Sequence, residues 1–368
     1  MTIQYYGMLS LPHSWSCVSQ NLILEMQKKG LKFICKSTNN TGNIPKEIET
    51  LPIDYPVKTD ISLSYTIPPN LLKIDSKHMA VICNPDNTKL PPGWAKILNE
   101  KAHLILPSSN FARDTLKENG VNENKMIVVP HGYNPLEFHP DVPIVGLNDS
   151  TLDQKFRFLS VSAPHWRKGF DVLLSAYLEE FKIDQDVVLI IKTSPNSSET
   201  SGQPFHVDFN KLIAKLKKNY PYRWPELRFV TTRVENLGSL YRWAHVNVLA
   251  TRAECFSLTM LEGAMVKCPS ITTEYGGHLD FLNKDNSYLI DYTMKKCPKE
   301  GQYYQNAPDS YVGEPDKEHL KQLMRHVKNN YPEAQLKAEK CYQDNKHLTW
   351  ENAGQQIIDL INQRGWKV

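Results

Sequence analysis

The chain has 368 residues, 40% hydrophobic and 23% charged, with a formal charge of +3 at pH 7. That length exceeds one ordinary core and implies two domains, and the residue balance excludes a disordered or collagen-like chain. A pI near 8.3 is too mild for a nucleic-acid partner, which calls for a dominant basic patch.

The opening Met1 to Gly7 lacks a basic segment followed by an apolar run. No stretch approaches the roughly 20 apolar residues of a membrane span, so a cytoplasmic location is expected. The 7 cysteines are scattered without a C-x-x-C pair, which points to reduced thiols rather than a disulfide framework or zinc site.

Short apolar runs alternate with amphipathic stretches along the chain, the pattern of parallel sheets covered by crossover helices. In the first half, strands are expected at Ile3–Tyr6, Lys32–Cys35, Met79–Cys83, Leu104–Leu106 and Met126–Val129. Helices are expected near Cys17–Lys29 and Asn110–Asn119. The stretch from Phe138 to Ser150, polar and proline-containing, reads as a linker, with a boundary near residue 145. Beyond it come strand Phe156–Val161, helix Phe170–Phe181, strand Val187–Lys192, helix Phe209–Asn219 and strand Leu227–Thr231. Helix Leu237–Ala244, strand Val246–Thr251, helix Thr259–Val266, strand Ser270–Thr273 and a last helix over Glu351–Asn362 complete the series. These units have βαβ length, so a second doubly wound sheet is predicted. Ser194 to Pro204 is a long polar loop after a strand, read as an excursion rather than a lid.

Ligands of open α/β sheets bind beyond the carboxyl ends of the strands, which ranks the candidate residues. Asp184-Gln185-Asp186 imitates a metal-binding acidic pair, yet it precedes its strand and reads as a solvated turn. Arg167-Lys168-Gly169 follows a strand at the favoured edge, where two cations can neutralise a diphosphate. Glu254 and Glu262 stand where a strand hands over to a helix, suited to holding two hydroxylated ends of one ligand while free N–H groups face phosphates between them. The simpler reading of Thr259 and Glu262 is a T-x-x-E capping box. Lys211 to Lys218 forms a basic amphipathic run. It fits a peripheral contact with an anionic membrane, but its position favours a solvated crossover helix.

Phe158 to Val161, Arg167 to Tyr177, and the Glu254 and Glu262-Gly263-Ala264 segment together resemble glycosyltransferase family 4, also described as glycosyl transferases group 1. Further echoes are Leu106 to Ala112, Val129 to Asn134 and Glu314 to Arg325, so the resemblance covers most of residues 80–365. It implies a retaining enzyme with the GT-B fold: two Rossmann-like doubly wound domains facing each other across a cleft, with a final helix crossing back. The expected domains are residues 1–145 for the acceptor, 146–349 for the donor, and 350–368 returning to the first, with Trp350 at the crossing.

By the same resemblance, Glu262 holds the donor ribose, Glu254 the transferred sugar, and Phe256, Ser257 and Leu258 offer backbone amides. Arg167 and Lys168 hold the diphosphate, Thr232 and Arg233 lie near the nucleobase, and Asn84 and Asp86 face the donor sugar from the first domain. His13 follows the first strand, where some relatives place a base; no partnering aspartate is recognisable, and a plain loop histidine is the simpler reading. Cys255 and Ser257 stand where the family often has glycine, and Ser162-Ala163 replaces a frequent Gly-Arg. Close approach of phosphate is less assured where side chains replace glycine.

The expected partners are a nucleotide-sugar donor and a glycan, lipid-linked or protein acceptor. No cofactor or metal is required by this reading. A GT-B-like nucleotide-sugar epimerase and a non-catalytic sugar-nucleotide-binding module are the alternatives.

Overall fold

The first six strands alternate with helices and loops and all join one parallel sheet. In order these are β1 (Thr2–Gly7), α1 (Ser14–Lys28), β2 (Lys32–Ser37), β3 (Thr50–Leu51), β4 (Lys58–Tyr65), β5 (Asp75–Ile82), α2 (Trp94–Lys101), β6 (Leu104–Leu106) and α3 (Asn110–Glu118). The computed structural model describes residues 2–11, 14–39, 43–147, 149–182, 186–194, 206–298, 307 and 309–366. His13, Asp184, Gln185 and most of the loop after Ser194 lie outside the described residues.

The second series is β7 (Phe156–Val161), α4 (Phe170–Glu180), β8 (Val187–Lys192), α5 (Phe209–Asn219), β9 (Glu226–Val230), α6 (Leu237–Trp243), β10 (Val246–Leu249), α7 (Leu258–Met265), β11 (Ser270–Thr273) and β12 (Tyr288–Ile290). A hairpin of β13 (Tyr292–Lys296) and β14 (Tyr311–Pro315) follows, then α8 (Lys317–Asn329), α9 (Tyr331–Asn345) and α10 (Trp350–Gln363). By packing, the chain divides into residues 1–132 with 347–368, and residues 133–346.

Both six-stranded sheets are parallel and share one strand order. The first runs β3-β2-β1-β4-β5-β6; the second, read from its far edge, runs β9-β8-β7-β10-β11-β12. Each order reverses at one point, between β1 and β4 or between β7 and β10, the place where open α/β sheets meet their ligands. Parallel strands buried on both faces explain the apolar runs: Val187 to Ile191 in β8 are all fully buried. In the second unit, Phe158, Leu189 and Ile191 pack with Leu173 and Tyr177 of α4 and with Leu320 and Met324 of α8.

Four differences from the sequence reading concern the fold. The strand expected at Met126–Val129 is absent, and Met126 makes only an isolated bridge to Ile105. Strand β4, which was not anticipated, is central, paired with β1 and β5. Its Ser62 and Ser64 are fully buried, and Ser62 Oγ is 2.7 Å from Ser76 Oγ, so hydroxyls replace the apolar signal there. The boundary expected near residue 145 falls inside the second unit, because Phe138 packs near the Tyr241 ring and Gly146 lies against the Trp243 indole. Helices α2, α8 and α9 and strands β3, β12, β13 and β14 were also unread. The last helix, capped by Thr349 Oγ1 accepting from the Asn352 amide, belongs to the first unit. There Gln356 donates to the Val128 carbonyl and Glu351 meets Lys29.

Candidate active site

The loops after β7 and β10 flank the reversal point of the second sheet, and their residues interlock. Gly169 brings them together: its φ is +66°, and a Cβ there would stand 1.8 Å from the Ala250 carbonyl oxygen. Only glycine meets both demands. The Arg252 amide donates to the Arg167 carbonyl at 2.6 Å, and Thr251 Oγ1 lies 3.1 Å from the same oxygen.

Glu254 is the electrostatic centre. Its Oε1 accepts from Lys168 Nζ at 2.5 Å, Arg167 Nη1 at 3.0 Å and Thr251 Oγ1 at 3.1 Å. Burial alone would raise its carboxyl, but Lys168 and Arg167 overcome that and hold it down at about 2. It is therefore an acceptor-only carboxylate at neutral pH. Two cations against one carboxylate leave an excess positive charge. Among the described residues, Oε2 of Glu254 accepts no hydrogen bond.

Behind Glu254, its carbonyl accepts from the Gly277 amide at 2.7 Å, and Gly276 has φ +128° with no room for a Cβ beside that carbonyl. His278 is fully buried, and its Nε2 lies 2.8 Å from the Thr273 carbonyl. A carbonyl only accepts, so Nε2 carries the proton. Burial lowers the imidazole's affinity for a second one.

Helix α7 begins at Leu258, one residue earlier than expected, and this overturns the capping-box reading. Thr259 sits inside the first turn, and Ser257 occupies the cap position without a side-chain cap bond. Glu262 is consequently one turn into the helix, where it cannot reach back to a cap amide. Ser257 has φ +73°, the left-handed conformation usually given to glycine, and its buried hydroxyl has no partner. Phe256 is buried against Phe281, so it contributes backbone rather than a ring to any ligand.

Glu262 is half-buried. Burial pushes its carboxyl up to about 8, the Glu137 carboxylate adds repulsion, and Tyr241 opposes the rise. One end of the segment thus carries a fixed negative charge and the other a carboxyl that holds its proton near neutrality.

The structure brings Arg167, Lys168 and Glu254 into direct contact, with Phe256, Ser257, Leu258 and Glu262 following on the same segment. Thr232 and Arg233 are exposed on the loop after edge strand β9 and join no part of this network. Asn84 and Asp86 follow β5 in the first unit. Asn84 is buried, bonding Tyr65 Oη at 3.2 Å and accepting from the Ser108 amide at 2.8 Å. Asp86 is half-buried.

Sequence reasoning passed over Arg252. All five of its N–H groups are used: two on Glu314 at 2.8 and 2.9 Å, two on Asp171 at 2.9 and 2.8 Å, and one on the Trp166 carbonyl at 2.8 Å. Its guanidinium also stacks 4.1 Å over the Trp166 ring. A signal was present, since an arginine two residues before a site carboxylate is unusual company, but its partners are distant in sequence.

Among the described residues no group of three or more His, Cys, Asp or Glu is gathered to hold a metal, and no helix is long and apolar enough to cross a membrane.

Residues 155–296 match the family model described as Glycosyl transferases group 1. No curated protein matches the chain. Among solved structures, the chain is similar to HepE of Anabaena in complex with UDP and glucose, at TM-score 0.73 and 12% identity, over 99% of this chain and 100% of that one. It is similar to a glycosyltransferase from Rickettsia africae at TM-score 0.72 and 16% identity, over 98% of each chain. Sucrose-phosphate synthase from Thermosynechococcus elongatus gives TM-score 0.72 and 13% identity, over 99% of this chain and 98% of that one. The fold is accordingly that of GT-B proteins, and the stretch that supplies Lys168, Glu254 and Glu262 is the one that matches group 1 glycosyl transferases.

Proposed function

We propose that this chain is a retaining glycosyltransferase that moves a hexose from a nucleoside-diphosphate sugar to a glycan, lipid-linked or protein acceptor. The observation that carries the reading is the Glu254 carboxylate, whose Oε1 is filled by Lys168, Arg167 and Thr251. Its other oxygen is left for sugar hydroxyls. The match of residues 155–296 to group 1 glycosyl transferases supports it, as do structural neighbours solved in complex with UDP and with UDP-glucose.

In this account Lys168 and Arg167 offset the charge that develops on the departing nucleoside diphosphate, and the first amides of α7 assist them. Glu254 orients the sugar as it passes through an oxocarbenium-like state. Glu262, able to donate as well as accept when protonated, holds the ribose diol. The leaving phosphate takes the acceptor's proton on the same face, so no protein nucleophile is required. Asn84 and Asp86 contribute from the first unit, Thr232 and Arg233 near the nucleobase, and no metal takes part. The protein acts in the cytoplasm.

A thermal-shift panel of uridine, guanosine and adenosine diphosphate sugars, followed by NMR of the best donor with candidate acceptors, tests this reading. Stabilisation by a donor and a product of unchanged anomeric configuration are expected. No shift with any nucleotide sugar would sink it. An epimerised donor, or binding without turnover across a broad acceptor panel, would instead favour an epimerase or a binding module.

A further inference from the structure

The β13–β14 hairpin lies outside the six-stranded sheet, yet it is bound to the reversal-point loops at several places. The Gly313 amide donates to the Arg252 carbonyl at 3.0 Å. Val312 is buried with Ala253 and Cys297 beside Trp166. Glu314, next along the strand, takes two of the Arg252 hydrogen bonds. No Cβ fits at Gly313, where it would stand 2.7 Å from the Tyr275 ring, so the hairpin backbone lies flush against the loop after β11.

The two arginines cross. Arg167, on the loop after β7, donates to the Ala253 carbonyl at 2.8 Å on the loop after β10. Arg252, on the loop after β10, donates to the Trp166 carbonyl at 2.8 Å on the loop after β7. Each fixes the backbone next to the other's functional neighbour, Glu254 in one case and Lys168 in the other. Arg252 is 3% exposed and has no donor left for a ligand. Its two carboxylate partners lie on different elements, Asp171 at the start of α4 and Glu314 on the hairpin. A planar five-donor fork is the one side chain that can bridge both and a carbonyl at once.

We propose that Arg252 is a positioning residue through which the β13–β14 hairpin sets the geometry of the Lys168–Glu254 pair. Its consequence for catalysis rests on the donor-site reading above; the positioning itself does not. Loss of the fork removes one of the two hydrogen bonds on the Trp166 carbonyl and both Glu314 anchors of the hairpin, and Lys168, two residues along, loses its register with Glu254.

The test labels lysines in the intact chain with an acetylating N-hydroxysuccinimide ester and follows each site by peptide mass spectrometry, in the absence of nucleotide. Lys36, 4% exposed on β2 of the first unit, and Lys192, half-buried on β8 of the second, report loosening of each unit. In Arg252→Gln, Lys168 labelling is expected to rise about tenfold while Lys36 and Lys192 stay constant. Glu314→Gln, which keeps the Asp171 half of the fork, should give a smaller rise, and Arg252→Lys should fall between wild type and Arg252→Gln. Lys168 remaining protected in folded Arg252→Gln, or Lys36 or Lys192 rising together with Lys168, would overturn the proposal. Should Arg252→Gln fail to fold, Glu314→Gln decides by the same criterion. Failure of the wild-type protein to bind UDP would count against the donor reading alone, because the labelling needs no ligand.

Discussion

The edges of the two sheets offer a controlled comparison, since both units use one strand order and differ in what stands at the carboxyl ends. In the first unit, Asn84 ties Tyr65 to His131, with Asn84 Nδ2 3.1 Å from His131 Nε2, and Trp15 stacks on Tyr65 at 4.9 Å. Burial pushes His131 down to about 3, so this network is neutral at ordinary pH. In the second unit the carboxyl ends of the strands hold Lys168, Arg167 and Glu254, with Arg252 between two further carboxylates. Topology decides where a ligand is met; charge decides which ligand. A neutral edge of dipoles and rings suits hydroxylated matter, whereas buried cations suit a diphosphate.

Substituting the glycine that closes each unit should break the comparison most forcefully. Gly169→Ala adds a Cβ at φ +66° into the Ala250 carbonyl, and Gly132→Ala places one 2.2 Å from the Trp350 amide nitrogen. Each should cost about 3 kcal/mol or more in urea unfolding, with loss of nucleotide binding confined to Gly169→Ala if the two edges have separate duties. Equal loss in both variants would erase the distinction.

Lys168→Met comes next. Removing one partner of a buried pair typically costs ~3–5 kcal/mol, and because Arg167 still faces Glu254 a loss below that range is expected, about 2–3 kcal/mol. Turnover should collapse. The stability loss should vanish as pH falls toward 2: the Glu254 carboxyl is held below its ordinary 4.5, so its contribution is full above that value and disappears on protonation. A loss independent of pH would remove Glu254 from the account.

Glu262→Gln should show the opposite sign. The carboxyl sits at about 8 in the folded chain against an ordinary 4.5, so wild-type stability falls as pH rises between those values. Glutamine removes this dependence. At pH 8.5 the variant should be the more stable by ~1 kcal/mol, after allowance for partial exposure, with the advantage gone at pH 4 and donor affinity reduced. Matching pH profiles for the two proteins would contradict a perturbed Glu262.

Two smaller changes sharpen the helix start. Ser257→Gly should stabilise by about 0.5–1 kcal/mol, relieving a side chain at φ +73°. Thr259→Ala should move the unfolding midpoint by less than ~0.5 kcal/mol, since Ser257 rather than Thr259 holds the cap position. A large Thr259 effect would revive the capping box.

The second unit was more legible than the first. Strand β8 is a continuous apolar run from Val187 to Ile191, and β7 and β11 are largely apolar or β-branched. Strand β4 was missed because Ser62 and Ser64 sit at fully buried positions, where small hydroxyl residues supply no hydrophobic signal; Ser62 pairs with Ser76 there. Met126 to Val129 has strand-forming residues but only one bridging partner, so propensity alone misled. At the site, Arg167, Lys168, Glu254 and Glu262 were visible as charged residues on the favoured sheet edge. Arg252 was not, because its meaning lies in Asp171 and Glu314, which are near only in the folded chain.

Local pattern alone determined the α/β character, the parallel crossover units and the charged loops after β7 and β10, because periodicity and turn chemistry are properties of neighbouring residues. Tertiary structure decided the strand order, the left-handed Ser257, and the opposite protonation tendencies of Glu254 and Glu262. Those depend on which charges and carbonyls burial brings within a few ångströms, and no spacing along the chain encodes that distance.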